Sequence, residues 1–233
     1  MRCLSRPGRR GPRPAVLEGV EAAYVSYYSD LAAPEAPGAI EAFTKAAAAA
    51  GVRRLVLLSG RGEHHAESCE DIVRESGIGY TLVRAAWFAQ NFGEGELRQG
   101  VLDGAVVLAA GTVAEPFADV EDIADVAVAA LLDERHTGRL YDVTGPRLLT
   151  FAEAAGELAL ATGRPVTYVP VAVEELRAAL AGHPQADLFA DLCAEVFDGR
   201  NEHLGTGVRD ALGREPRDFA DYCRAAAAAG AWR

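Results

Sequence analysis

Polar and aromatic side chains follow three short apolar segments of the chain, and their types make them the first candidates for chemistry. A histidine ring exchanges protons near neutral pH, and serine and tyrosine hydroxyls donate hydrogen bonds to substrate oxygens. Aromatic rings can also cover a bound ligand. The candidates, in chain order, are Ser26, Tyr27, Tyr28, Ser59, Gly60, Arg61, His64, His65, Ala85, Ala86, Trp87 and Phe88.

Three of these residues are candidates for the chemical step itself. His65 could act as a general acid or base, Tyr27 could donate to a substrate oxygen, and Ser59 could hydrogen-bond a ribose or a substrate carbonyl. Each has a plainer alternative, namely an exposed loop histidine, a packed tyrosine and a serine that caps a loop. For Trp87 and Phe88 the plainer alternative is core packing.

The elements that must hold these residues alternate between strand and helix. Residues 22–28, 53–58 and 80–84 predict buried strands, and residues 39–50 and 66–75 predict the helices between them. Strands joined by helices run parallel with right-handed crossovers, so this half of the chain predicts a doubly wound α/β sheet. Ligands bind such sheets beyond the carboxyl ends of the strands, which is where all the candidates fall.

The second half of the chain predicts shorter strands and more helix. Thr150 and Glu153 form a capping-box pattern that opens a helix. Acidic residues at 119–122 predict helix capping. Arg84 could pair with a phosphate or with an acid such as Glu70 or Asp122, and the structural ion pair with an acid is favoured. The predicted elements are a helix or turn at 87–98, strands at 106–109, 140–143 and 166–169, helices at 119–133 and 150–162, and mainly helix over 172–228.

Composition limits the classes of function. The formal net charge is -11, and an acidic surface repels phosphate backbones, which argues against a nucleic-acid partner. The cysteines are scattered without a CxxC pair, which argues against a zinc site or a disulfide framework and fits a reducing cytoplasm. No apolar stretch approaches the ~20 residues of a membrane helix. We therefore expect a cytoplasmic protein with a small-molecule substrate and no metal.

Six stretches in order resemble the NmrA-like branch of the extended, atypical short-chain dehydrogenases/reductases. Each stretch is short, but together they keep the family's spacing across most of the chain. They are LEGVEAAY at 17–24, GVRRLVLLS at 51–59, SGIGYTLVR at 76–84 with WF at 87–88 and QNF at 90–92, FADVEDIA at 117–124, YDVTGP at 141–146 with LTFAE at 149–153, and LGR at 212–214.

The resemblance implies an incomplete Rossmann-like core with a smaller, mainly helical substrate lobe. It implies an NAD(P)-dependent oxidoreductase, with NADP(H) favoured, that transfers a hydride to a small carbonyl, quinone or enone. Residues 15–145 would form the truncated core and 146–233 the lobe, interleaved as one folding unit. Residues 1–14 hold five arginines and no acid, and this composition predicts a basic, disordered arm. Cofactor contacts would come from Ser26, Tyr28, Ser59, Gly60, Arg61, Ala85 and Ala86, and substrate contacts from Trp87, Phe88 and His64.

Two departures from the family pattern keep other functions open. No glycine-rich turn precedes Tyr24, although residues 2–8 faintly resemble the family's second strand and its arginine. His65 is followed by Ala66 where the family often has lysine, and the sole lysine, Lys45, forms no Tyr-x-x-x-Lys pair. The alternatives are a non-catalytic dinucleotide-sensing or regulatory protein, and a cofactor-independent isomerase or cyclase of secondary metabolism in the same crevice. A strand at 22–28 without its usual neighbour also predicts a homodimer that covers the sheet edge.

Overall fold

A computed structural model describes residues 14–28 and 30–233. The predicted basic arm and the segment at 2–8 therefore lie outside the described residues, apart from Pro14. Pro14 opens a short helix, α1 (Pro14–Leu17), which anchors the start of the described chain because Leu17 is fully buried.

The central sheet has four parallel strands in the order β1-β2-β3-β6. They are β1 (Ala22–Val25), β2 (Arg54–Gly60), β3 (Gly79–Ala85) and β6 (Arg139–Val143). The register pairs Gly60 with Ala85, so β2 and β3 end side by side. Their apolar runs are buried on both faces, which is what a parallel sheet covered by helices requires.

Helices cover both faces of the sheet, which confirms the doubly wound α/β prediction. Leu55 and Leu57 of β2 pack with α2 (Ala36–Ala49) and α3 (His64–Glu75). Val56, which points to the other side of the strand, packs with α5 (Val120–Leu132) and α9 (Gly207–Leu212).

A second hydrophobic cluster, centred on Phe92, Phe117 and Phe151, holds a mainly helical lobe together. Its paired strands are β4 with β8, which run parallel, and β5 with β7, which run antiparallel. The lobe's elements are α4 (Arg98–Asp103), β4 (Ala105–Leu108), β5 (Ala114–Glu115), β7 (Leu149–Thr150), α6 (Phe151–Thr162), β8 (Thr167–Pro170), α7 (Val173–Ala179), α8 (Ala186–Val196) and α10 (Phe219–Ala229).

Capping residues in the sequence predict the ends of several helices correctly. The Thr150–Glu153 capping box is present in full, and α6 ends at Gly163, whose φ of 66° suits a residue without Cβ. Asp119 caps α5 as predicted by accepting from the Glu121 N–H, but Asp122 does not cap. Asp122 is buried and instead accepts from the Arg217 N–H at 2.7 Å and pairs with Arg214.

Other boundaries shift, and the shifts move candidate residues. The first strand was predicted to reach residue 28 but ends at Val25, so Ser26 to Tyr28 lie beyond the sheet. The second strand continues to Gly60 because it stays paired with β3 there. Ser59 and Gly60 thus belong to β2, and His64 begins α3 instead of standing in a loop. The segment after Trp87 forms only a 3₁₀ turn, Ala89–Phe92.

Within the described residues, β1 pairs with β2 alone and forms an edge of the sheet. The homodimer predicted to cover that edge stays a prediction, as does the domain boundary at residue 145. In the part of the chain that the structure describes, no helix is both long and apolar enough to cross a bilayer.

Candidate active site at the strand ends

The candidate residues meet at the carboxyl edge of the central sheet but differ in how accessible they are. Ser26, Tyr28 and His64 are exposed there, whereas Tyr27 and His65 are partly buried. Burial and the nearby Glu35 raise the pKa of Tyr27, so its phenol stays a hydrogen-bond donor at neutral pH. The remaining candidates, Ser59, Gly60, Arg61, Ala85, Ala86, Trp87 and Phe88, are buried or half-buried.

Ser59 belongs to a buried ion-pair network built on Glu70. The Ser59 hydroxyl donates to Glu70 Oε1 at 2.7 Å, and Arg84 Nε donates to the same oxygen at 2.9 Å. Arg74 donates to Glu70 Oε2 at 2.9 Å, and Arg84 also reaches this oxygen. The predicted ion pair between Arg84 and Glu70 is confirmed. Because the Ser59 proton is directed at Glu70, the hydroxyl can only accept a hydrogen bond from a ligand.

Arg61 fastens a later segment of the chain over the strand ends. Its Nε lies 2.8 Å from Asp142 Oδ1, and its Nη atoms donate to the backbone oxygens of Asn201 and His203 at 3.2 and 3.1 Å. The His203 ring is also in contact, with Nε2 at 2.7 Å. Burial lowers the pKa of Arg61 although Asp142 and Glu115 oppose this shift. We call residues 198–204 the strap.

Further hydrogen bonds join the strap to the core. The Asn201 side chain donates to the Arg61 oxygen at 3.2 Å, and Arg200 donates to the Gly62 oxygen at 3.1 Å. The Ala114 N–H donates to the Glu202 carboxylate at 2.8 Å. The strap thus forms a polar cover over the ends of β2 and β5.

Acidic residues surround the start of α3. The His64 N–H donates to Glu195 Oε1 of α8 at 2.7 Å, and the His64 and His65 rings lie 5.4 Å apart. The neighbouring Glu63 folds back on Gly60, where a Cβ would lie 1.8 Å from Glu63 Oε1. Burial, with help from nearby carboxylates, raises the pKa of Glu63 well above its ordinary value.

Trp87 and Phe88 diverge into different parts of the molecule. The Trp87 ring lies 4.8 Å from Phe197 and 6.1 Å from Phe189, so it joins the lobe. Its indole Nε1 is buried and has no hydrogen-bond partner among the described residues. Phe88 packs instead on the sheet side and bridges to Ala118. Of this aromatic pair, Trp87 is the one that faces the lobe.

Sequence reasoning missed Glu115, a buried carboxylic acid beside this edge. Glu115 is 2% exposed, and its Oε1 is buried without a hydrogen-bond partner among the described residues. Burial raises its pKa to about 8; Arg61 and the Trp87 N–H lower it, whereas Glu202 raises it further. A lone acid within the apolar run VAEPF at 113–117 was the available signal. The surroundings of Glu115 therefore favour the protonated carboxyl group at neutral pH.

Several proteins that resemble this chain in sequence or fold are NAD(P)H-dependent reductases. The sequence matches no established family model. An NAD(P)H azoreductase of Xenophilus azovorans is 32% identical, in an alignment covering 94% of this chain and 81% of the relative. The NADPH-dependent quinone oxidoreductase QOR2 of Escherichia coli, solved with NADPH, has a TM-score of 0.77 at 25% identity, covering 90% of this chain and 77% of that one.

The regulator NmrA, solved in complex with NAD, shares the fold with a TM-score of 0.67 at 18% identity, covering 91% of this chain and 75% of that one. The chain belongs to the NmrA-like family of NAD(P)-dependent oxidoreductases. This confirms the family that the six sequence stretches predict. In this NmrA-like chain, the edge described above is the carboxyl end of the parallel sheet, where open α/β folds bind their ligands.

Proposed function

We propose that this NmrA-like chain is an enzyme that reduces a small carbonyl, quinone or enone with NAD(P)H, with NADPH preferred. The observation that carries the proposal is the register of β2 and β3, which end together at Gly60 and Ala85. They end at the edge where an open α/β sheet binds its ligands, in a chain 32% identical to an NAD(P)H azoreductase.

The residues at this edge fit the nicotinamide and ribose end of a dinucleotide. Ser26, Tyr27 and Tyr28 offer hydroxyl groups at the end of β1, and Ala85 and Ala86 keep side chains small beside β2. The guanidinium groups of the strand-end arginines, at positions 61 and 84, already bind carboxylates. The described edge thus suits uncharged groups better than phosphates. The nicotinamide, when bound, supplies the hydride.

The protein's own residues would position and enclose the substrate. Ser59 would accept a hydrogen bond from a ribose hydroxyl, since its proton is directed at Glu70. Tyr27 and His65 would donate to a substrate oxygen. Trp87, which packs near Phe189 of α8, and His64, whose N–H donates to Glu195 of α8, would contact the substrate, and Phe88 packs on the sheet side.

The lobe, with the strap, would act as the lid of this space. The strap is held by Arg61, and α8 is tied to the start of α3 through Glu195 and the His64 N–H. Covering the strand ends excludes water, which protects a hydride transfer from side reactions.

Isothermal titration of the chain with NADPH and then NADH tests the proposal. We expect micromolar binding of NADPH and weaker binding of NADH. Tyr28→Phe, which removes one exposed hydroxyl at this edge, should weaken binding several-fold, whereas Tyr80→Phe, at the opposite end of β3, should not. Absence of binding at millimolar NADPH would contradict the proposal and favour the cofactor-independent alternative. Binding without turnover of any carbonyl or quinone would favour the regulatory alternative.

A further inference from the structure

Glu115 occupies a position next to the ends of three strands of the central sheet. After Glu115 the chain runs beside the segment that follows β3: the Ala118 N–H donates to the Trp87 oxygen at 2.9 Å, and the Ala89 N–H donates to the Ala118 oxygen at 2.8 Å. The Gly145 N–H, just past β6, donates to the Pro116 oxygen at 2.9 Å. Arg61, the residue that follows β2, acts electrostatically on the Glu115 carboxyl.

The surroundings of Glu115 favour a neutral acid over a carboxylate. The side chain is 2% exposed, and one of its oxygens has no hydrogen-bond partner in the described part of the chain. An ionised carboxylate in such a place would lose its hydration without replacement. The charged groups that face it are Arg61, which already pairs with Asp142 at 2.8 Å, and Glu202 of the strap. Arg61 therefore gives only partial compensation, and Glu202 disfavours a second negative charge.

A protonated carboxyl group gains an O–H donor and can deliver a proton. Burial raises the pKa of Glu115 to about 8, so at neutral pH most molecules hold this proton. Two other usual donors cannot deliver a proton here: the sole lysine, Lys45, is exposed and pairs with Glu41, and the Ser59 proton is directed at Glu70. Tyr27 and His65 keep the role of hydrogen-bond donors that orient the substrate oxygen.

We propose that Glu115 is the proton donor of the reduction, delivering its proton from Oε1 to the oxygen of the substrate carbonyl or quinone. This rests on the proposed function. With a carbonyl substrate, the carbon would gain a hydride from the reduced nicotinamide, the C=O π pair would move to oxygen, and that oxygen would take the Glu115 proton to give the alcohol. With a quinone, one oxygen would gain the hydride, the ring would become aromatic, and the second oxygen, left as a phenolate, would take the Glu115 proton to give the quinol. In both cases the nicotinamide is oxidised by two electrons. Glu115 is left as a carboxylate and regains a proton from water. Glu202, which acts electrostatically on Glu115, is exposed to that water.

The test compares Glu115→Gln with wild type, using NADPH and 2-methyl-1,4-naphthoquinone as the substrate probe. We expect kcat to fall by about 100-fold or more at neutral pH, with little change in the KM for NADPH. In wild type, kcat should decline as pH rises above about 8, because the acid is then ionised. That alkaline decline should be missing from the residual activity of Glu115→Gln, and Glu115→Asp should restore part of the rate.

Glu75→Gln is the matched control, since Glu75 is exposed at the end of α3, near the opposite edge of the sheet. If Glu115→Gln is as active as this control, or keeps the alkaline decline, the proposal is overturned. A second readout needs no cofactor: the infrared difference between wild type and Glu115→Gln at neutral pH should contain a carboxylic acid C=O band. Without this band Glu115 is not protonated, and the proposal fails.

Failure of the proposed function looks different from failure of this inference. If wild type does not oxidise NADPH with any quinone or carbonyl, the proposed function and the donor role fail together, although the carboxylic acid band is still present. If wild type is active and the band is missing, only the donor role fails.

Discussion

Two buried glutamates at the same edge of the sheet have opposite environments. Glu70 is fully buried and receives hydrogen bonds from Ser59, Arg74 and Arg84, so each of its oxygens is satisfied. Glu115 is almost as buried but leaves one oxygen without a partner in the described chain. Removing one partner of a fully paired buried charge leaves the other charge uncompensated, so such a pair matters for stability. A buried polar group without a hydrogen-bond partner does not help the fold, which favours a role outside folding. The comparison assigns structure to Glu70 and chemistry to Glu115.

Removing Glu70 should have the largest effect on stability. Glu70→Ala leaves Arg84 and Arg74 without their shared carboxylate and should cost about 3–5 kcal/mol of unfolding free energy. Urea denaturation measures this loss, with Glu75→Ala on the same helix as the control. If both variants lose equally little, the Glu70 network is not the structural element that the comparison requires.

The pH dependence of stability should reveal the buried proton of Glu115. Its pKa in the folded chain is raised to about 8, so between the ordinary glutamate range and pH 8 the folded state keeps a proton that the unfolded chain has released. Stability is therefore highest below this window and falls as pH rises through it, by about 3 kcal/mol for this group.

Glu115→Gln should remove this part of the decline, although Glu63 and Asp30, whose pKa values burial also raises, keep a remainder. Urea titrations at pH 5 and pH 8 give the difference. If the unfolding free energy of Glu115→Gln falls between pH 5 and pH 8 as much as that of wild type, the decline does not come from Glu115.

Arg61 belongs to the surroundings of Glu115, and it also binds Asp142 and the strap. Arg61→Ala should cost about 2 kcal/mol, since it leaves buried carbonyl oxygens of the strap unpaired. Hydrogen exchange should rise most in residues 198–204. Arg53→Ala removes an exposed pair with Glu21 and should change stability by no more than about 0.5 kcal/mol. If amide hydrogen exchange in the strap is the same in Arg61→Ala as in wild type, contacts other than those of Arg61 keep the strap in place.

The smallest expected effect is that of a local cap far from both glutamates. Thr150→Ala removes the side-chain acceptor of the α6 capping box and should cost about 1 kcal/mol, whereas Thr150→Ser should keep most of the stability. Thermal denaturation distinguishes the two. Equal losses in both variants would indicate that the hydroxyl cap contributes little here.

How much the sequence predicts depends on how local the deciding interaction is. The Thr150 cap, the strand–helix alternation and the edge at Ser59 to Trp87 all follow from neighbouring residues, and the structure contains each of them. The ends of the first two strands were placed less well, because pairing with adjacent strands decides them.

Long-range partners account for what the sequence could not predict. Arg61 was predicted to contact the cofactor, which stays a prediction, but its hydrogen bonds to Asn201 and His203, which lie far along the chain, could not be foreseen. Asp122 was assigned as a cap, and Arg217 binds it instead. No local sequence motif marks Glu115 as functional, because what distinguishes it is its burial and an oxygen without a hydrogen-bond partner in the described chain. Its proposed role as proton donor could not come from spacing.

The most direct test of the account is whether the purified chain couples NADPH oxidation to reduction of 2-methyl-1,4-naphthoquinone. Loss of NADPH absorbance is measured together with quinol formation under anaerobic conditions. The account predicts one quinol formed for each NADPH oxidised, with a rate that saturates in both reactants. NADPH that stays reduced over hours in the presence of the quinone and a saturating amount of protein would contradict it.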